Sequence, residues 1–211
     1  MEQATNIEKL QVFAKRTGRE IFFTEDQYPL PPYRQIPRYK RTIYIPYNEE
    51  RQLFFVLFSD PYYKAGEHTV FCGIYFKTNI PASVRLNFRP KNIFDKLNPF
   101  LSKKTLKIDE RLFDSKVVIS GNDTSTIKRY FKHSVLQRLI IEKLNSNMFM
   151  KFSINETPVD FVPELKDNSH FALINPQEWV LDAQTIEQWF STMKQIHAIF
   201  QKKEVEHITY L

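Results

Sequence analysis

The chain has 211 residues, with 30 Lys and Arg against 24 Asp and Glu, a formal net charge of +6, 19 Phe, 10 Tyr, 12 Pro and 4 Gly. Its aromatic richness excludes a disordered chain, four glycines exclude a collagen-like or glycine-rich filament, and a lone Cys72 excludes a disulfide scaffold. The composition predicts a soluble globular protein with a large core.

The elements follow in chain order. Thr5–Arg16 reads as a short helix with Ile7, Leu10, Val12 and Phe13 on its stripe, and Gly18 stands where a left-handed residue ends it. Residues 19–24 read as a first strand. Residues 26–40 form a proline-rich extended segment, because proline fixes φ and removes backbone donors. Four strands are predicted next, over Thr42–Tyr47, Gln52–Asp60, Thr69–Lys77 and Ser83–Phe88. The second of these, Leu-Phe-Phe-Val-Leu-Phe, is apolar on both faces. A weak helical segment around Asn92–Leu97 ends before Pro99.

In the second half, Thr105–Ile108 and Leu112–Ser120 read as strands. One helix is predicted from Asp123 or Thr124 to about Leu144, on Ile127, Phe131, Val135, Leu139 and Ile140. Met148–Ile154 and Val159–Val162 read as a hairpin and His170–Ile174 as a further strand. A long helix, about Ala183 to Lys203, closes the chain, capped by Asp182. Consecutive strands joined by short turns predict an α+β fold. Its sheet is mostly antiparallel, with a mid-chain helix and a long C-terminal helix on one face. A helix-grip arrangement is the alternative. Residues 1–211 read as one domain, with a sub-boundary near 100–105.

The longest apolar run is Leu53–Phe58, while a membrane helix needs about 20 such residues. The start Met1–Asn6 has neither a basic nor an apolar leader region. With one cysteine, these features predict a cytoplasmic chain without membrane insertion.

Charge is uneven. Residues 85–143 hold 14 Lys and Arg against 6 Asp and Glu, and residues 151–190 hold 2 against 7. The two segments balance each other within one fold, or the basic one serves a polyanionic partner.

Catalytic and cofactor motifs are missing. The glycines at 18, 66, 73 and 121 match neither G-x-G-x-x-G nor G-x-x-x-x-G-K. The five histidines are scattered without a metal-ligand spacing. No G-x-S-x-G elbow exists, and Cys72, within Val70–Tyr75, reads as a buried hydrophobe. His197 reads as a core or boundary histidine on the last helix. The expectation is no cofactor, no metal and no catalytic residue.

Two binding signals are left. Pro29–Arg34 fits the P-x-x-P-x-basic form of a polyproline ligand. Tyr33, Arg34, Arg38, Tyr39, Lys40 and Arg41 interleave aromatics and cations without an acid, the mixture that stacks bases and pairs phosphates.

The passage Leu106-Lys107-Ile108, then Arg111 to Asp123 (RLFDSKVVISGND), then Ile127, Phe131 and Leu136–Leu144, resembles a bacterial family, domain-of-unknown-function family 3137 and its relatives. The likeness covers about residues 104–203, including the long last helix. It implies no catalytic residues. Many members carry transmembrane segments, and this sequence shows none.

These readings give a non-catalytic binding or interaction module with a protein or other partner. The first alternative is a nucleic-acid-associated protein using segments 34–41 and 85–107. The second is an apolar-ligand carrier of helix-grip type.

Overall fold

The apolar run of Leu53–Phe58 organises the molecule. In a strand, side chains alternate between faces. Leu53, Phe55 and Leu57 therefore join one buried cluster, and Phe54, Val56 and Phe58 join another on the opposite face. A computed structural model describes residues 5–30, 37–64, 67–93, 95 and 105–208.

The strands are β1 (Phe22–Gln27), β2 (Tyr39–Pro46), β3 (Leu53–Lys64), β4 (Glu67–Lys77), β5 (Leu86–Pro90), β6 (Val117–Gly121), β7 (Lys151–Ile154) and β8 (His170–Asn175). They form one sheet in the order β1-β2-β3-β4-β8-β7-β5-β6, and every pairing is antiparallel. The helices are α1 (Asn6–Thr17), α2 (Arg111–Lys116), α3 (Thr124–Tyr130), α4 (Ser134–Ser146) and α5 (Ala183–Ile208). This is the α+β architecture expected, with α5 packed on the sheet.

The larger core lies between the sheet and the helices. It draws Leu10 and Phe13 from α1, Ile127 from α3, Leu136 and Ile140 from α4, and Phe190, Met193 and Phe200 from α5. The opposite face is covered by residues 155–169, through Val159, Val162 and Leu165.

Several local expectations are met in detail. Gly18 ends α1 at φ 67°, while Thr5, expected as the first helical residue, is its cap, in a reciprocal box with Glu8. Asp182 accepts from the Thr185 amide at 2.8 Å at the start of α5.

Others are corrected. The helix expected over 124–144 is two helices. At about 100° per residue, Ile127, Tyr130 and Phe131 point to one side of a continuous helix, and Leu136, Leu139, Ile140 and Leu144 to the other. Only a break buries both sets, and the chain breaks at Phe131 (φ −96°, ψ 5°). The Phe131 ring then stacks near Phe88, with centroids 4.5 Å apart.

The strand expected over Leu112–Ser120 starts only at Val117. Residues 111–116 are helical, which buries Phe113 and leaves Leu112 exposed. Of the strand expected at Thr105–Ile108, a single bridge from Leu106 to Ile119 forms. Val159–Val162 is not a hairpin strand. Pro158 and Pro163 remove donors, and turns closed by Val162 N–H to Val159 O and Leu165 N–H to Val162 O fold the segment onto the sheet. The ends of the proline-rich segment are strand rather than extended linker: Asp26 pairs with Lys40, Gln27 with Tyr39, and Tyr28 N–H with Arg38 O. Residues 31–36, the sub-boundary residues 100–104 and, from the segment at 92–97, residues 94, 96 and 97 lie outside the described residues.

Arg19 ties α1, the β2–β3 turn and α5 together. Its guanidinium sits over Phe13, Tyr47 and Phe190, at 5.5, 4.9 and 4.8 Å from the centroids. It donates to Tyr47 O at 2.9 Å and to both oxygens of Glu187. Glu187 is 41% exposed, so the ion pair itself contributes little. The desolvated ring contacts carry the stabilisation. Arg19→Ala should therefore lower stability by about 2 kcal/mol, and Glu187→Gln by under about 0.5 kcal/mol. Chemical denaturation of the two variants checks this ordering; equal losses would contradict it.

Candidate functional site

Among the described residues, the basic and aromatic side chains singled out by sequence that lie in β2 are split between the two faces of the sheet. Strand alternation puts Tyr39 and Arg41 on the face of Ile43, and Lys40 on the face of Thr42 and Tyr44. The cations are also engaged. Arg41 pairs with Glu25 and stacks on Tyr39 at 4.8 Å, Arg38 lies over Tyr62 at 5.2 Å, and Lys40 faces Asp26 across the ladder. Tyr33 and Arg34 lie outside the described residues. In the 85–107 segment, Arg89 pairs with Asp95, and Lys91 Nζ donates to Asp114 O at 3.1 Å.

Cys72 is buried on the helix side of the sheet. Its thiol donates to Glu178 O and accepts from the Val180 amide, both at 3.3 Å. Burial pushes the thiol up to about 12, which leaves no thiolate for nucleophilic work. No group of three or more His, Cys, Asp or Glu among the described residues is placed to hold a metal. No helix among them is long and apolar enough to cross a membrane.

The most developed polar site is on the opposite face of the sheet, where sequence reasoning placed nothing. An open groove of about 470 Å³ lies between residues 82–85 and 155–168, with His170 among its lining residues. Asn155 builds its wall. At φ 53° it takes the left-handed conformation that asparagine tolerates. Its Nδ2 donates to Val84 O (3.0 Å), Ser169 Oγ (3.2 Å) and Pro81 O (3.4 Å), and its Oδ1 accepts from the His170 amide (2.9 Å). Its carbonyl accepts from Arg85, which fixes that guanidinium at the rim.

Beneath the groove the polar accounting does not close. His170 is 7% exposed and Tyr75 fully buried, with ring centroids 5.6 Å apart. The His170 Nε2 and the Tyr75 hydroxyl both lack a hydrogen-bond partner among the described residues. Thr157, on the covering loop, is the polar neighbour of both, through its side chain toward Tyr75 and its backbone toward His170. The register continues the pattern. Tyr75 pairs with Ala172, Ala172 with Ser153, and Ser153 with Asn87, and the Ser153 hydroxyl and Asn87 Oδ1 are also buried without partners. Such groups normally find partners, because each one left unpaired costs about 1–3 kcal/mol.

Burial holds the His170 imidazole below its ordinary range, with Arg85 adding to the effect and Asp160 opposing it. It is neutral at pH 7, so Nε2 offers one donor or one acceptor. Burial also raises the Tyr75 phenol well above its usual range, so it keeps its proton.

His197, beside Phe76 on α5, is likewise lowered by burial. For both histidines the unfolded chain takes up protons before the folded one. Stability should therefore fall as pH drops below about 6.5. Asp95, Asp123 and Asp182 are held low by hydrogen bonds, first from Arg89, Ser125 and Thr185 respectively. Their contribution is lost in a second window, below about pH 4. Urea unfolding between pH 8 and pH 3 checks this, and the His170→Gln, His197→Gln double variant should flatten only the upper window.

The site was missed because its parts are remote in sequence. Tyr75, Arg85, Asn155 and His170 meet only because β8 docks beside β4 and β7 beside β5. The one local signal is Asn155-Glu156-Thr157, polar residues breaking off an apolar strand. Comparison with protein-family models, with curated proteins and with solved structures finds no match to this chain.

Proposed function

We propose that the chain is a non-catalytic binding module that takes a small polar molecule into the groove lined by His170. The observation that carries this is the His170 Nε2, a buried and partnerless hydrogen-bonding atom on a residue lining a concave surface. The groove's volume is in the range of ligand clefts, and its lining is mostly polar, with convergent groups of the kind that orient a bound molecule. Val159 and Leu165 supply the apolar wall.

Two observations weigh against the alternatives. The basic segments pair Arg41 with Glu25 and Arg89 with Asp95, which leaves less charge for phosphates. The space between the sheet and α5 is taken by Phe76, Phe131, Phe171 and Phe200, with centroids 5.0 to 6.0 Å apart, where an apolar-ligand carrier needs a cavity.

Tyr75→Phe tests the reading. It removes an unpaired buried hydroxyl and adds no volume. The unliganded variant should be more stable than the parent by about 1 kcal/mol, and a thermal-shift screen of small polar solutes should find a stabilisation of the parent that His170→Phe loses. A loss of stability would mean that the hydroxyl is satisfied within the fold, and the reading would fall.

A further inference from the structure

We infer that the groove over His170 binds a small zwitterion carrying both a carboxylate and an ammonium group, the chemistry of a free amino acid. The inference rests on the functional reading above and adds the charge pattern of the rim.

Among the described residues the Arg85 guanidinium makes a single hydrogen bond, to the Asn155 carbonyl, so its other N–H donors can face a carboxylate. Asp160 lines the same groove, and its carboxylate makes no hydrogen bond or ion pair among the described residues. Arg85 and Asp160 line the groove together with His170, and both charges act on its ring, with opposite signs. A cation and an anion thus share one groove with a buried donor or acceptor.

This arrangement discriminates by charge. The groove also carries Lys166 on the basic side and Glu156 and Asp167 on the acidic side. A simple anion meets three carboxylates, and a simple diamine meets Arg85 and Lys166. A neutral solute uses neither Arg85 nor Asp160. Only a ligand bearing both charges pairs with each, while a third polar group reaches His170 Nε2. The mixed rim has a further consequence: it gives little long-range attraction for either sign, so binding should depend weakly on salt.

The test uses the full chain with the free L-amino acids, singly, at millimolar concentration. Their N-acetyl derivatives keep only the carboxylate, and their amides keep only the ammonium. Succinate, putrescine and glucose complete the set. Thermal shift reports stabilisation, and the ring nitrogen resonances of His170 report contact at the site.

At least one free amino acid should raise the melting temperature by several degrees and move the His170 resonances. Its N-acetyl and amide forms should bind at least about tenfold more weakly. Arg85→Gln and Asp160→Asn, both at exposed positions, should each weaken it by a similar factor; Asp160→Asn should leave the unliganded melting temperature unchanged, and Arg85→Gln, which loses the bond to the Asn155 carbonyl, should lower it slightly. If a blocked derivative matches its parent, or if succinate, putrescine or glucose alone moves His170, the zwitterion assignment is overturned and the groove stands as a binding site. If no member of the set perturbs His170, the assignment and the binding reading both fall.

Discussion

Replacing Phe171 with alanine should lower the unfolding free energy by about 4 kcal/mol, a large part of the 5–15 kcal/mol typical of a whole protein. The ring is fully buried on β8 and meets four others, with centroids 5.4 Å from Phe76, 6.0 Å from Phe131, 5.6 Å from Phe152 and 5.0 Å from Phe200. Those rings come from β4, the α3–α4 break, β7 and α5. The cavity left by alanine cannot collapse from one side, because each wall is pinned to a different element. The melting temperature should fall by roughly 10 °C. Phe171→Leu keeps most of the volume and should cost about half as much. Equal losses for the two would show that ring contacts, rather than volume, set the cost.

Gly73→Ala should cost about 3 kcal/mol, although it adds one methyl group. Gly73 pairs with Ile174 across the β4–β8 seam. A Cβ there would stand 2.2 Å from Leu173 O and 3.1 Å from Ile174 Cα, both backbone atoms that no rotamer change can move. The two strands would have to part. Gly18→Ala is the natural control. That position has open space around it but a left-handed φ of 67°, so only the backbone preference is lost, about 1 kcal/mol. Denaturation of the two variants separates a clash from a conformational penalty. A Gly73→Ala loss no greater than that of Gly18→Ala would contradict the assigned register.

Local chemistry was legible in the sequence. The apolar run of β3 implied burial on both faces, Gly18 and Asp182 marked helix ends, and the β-branched and aromatic runs marked most strands. The break between α3 and α4 was also present in the residues. Each stripe was read by its own spacing, and only their relative phase around the axis shows that one helix cannot bury both. The coil over 155–169 was missed because Val159, Phe161 and Val162 alternate as a strand does, while Pro158 and Pro163 deny it a ladder. The candidate site was not legible. Tyr75 looks like one aromatic among many in a strand, and His170 like the first residue of another. Their missing partners become visible only once the sheet order joins them. Tyr39, Lys40 and Arg41 show the reverse: adjacent in a basic, aromatic stretch of sequence, they are divided between two faces by strand alternation.

The strand order also bears on how the chain folds. β1 to β4 form a meander, each strand hydrogen-bonded to the next, so the connections closed there are short. β4 then takes as its other neighbour β8, whose residues lie about a hundred positions further along the chain. Closing that loop incurs a large entropic cost before any contact repays it. The meander can form early, but its β4 edge stays open until nearly all of the chain is available. During that interval Phe71, Ile74, Tyr75 and Phe76 belong to an unpaired strand edge, the kind of surface through which chains associate. Docking of β8 closes the edge and, in the same step, assembles the groove beside it. The groove and the cover over the β4 edge therefore form together, in one docking step.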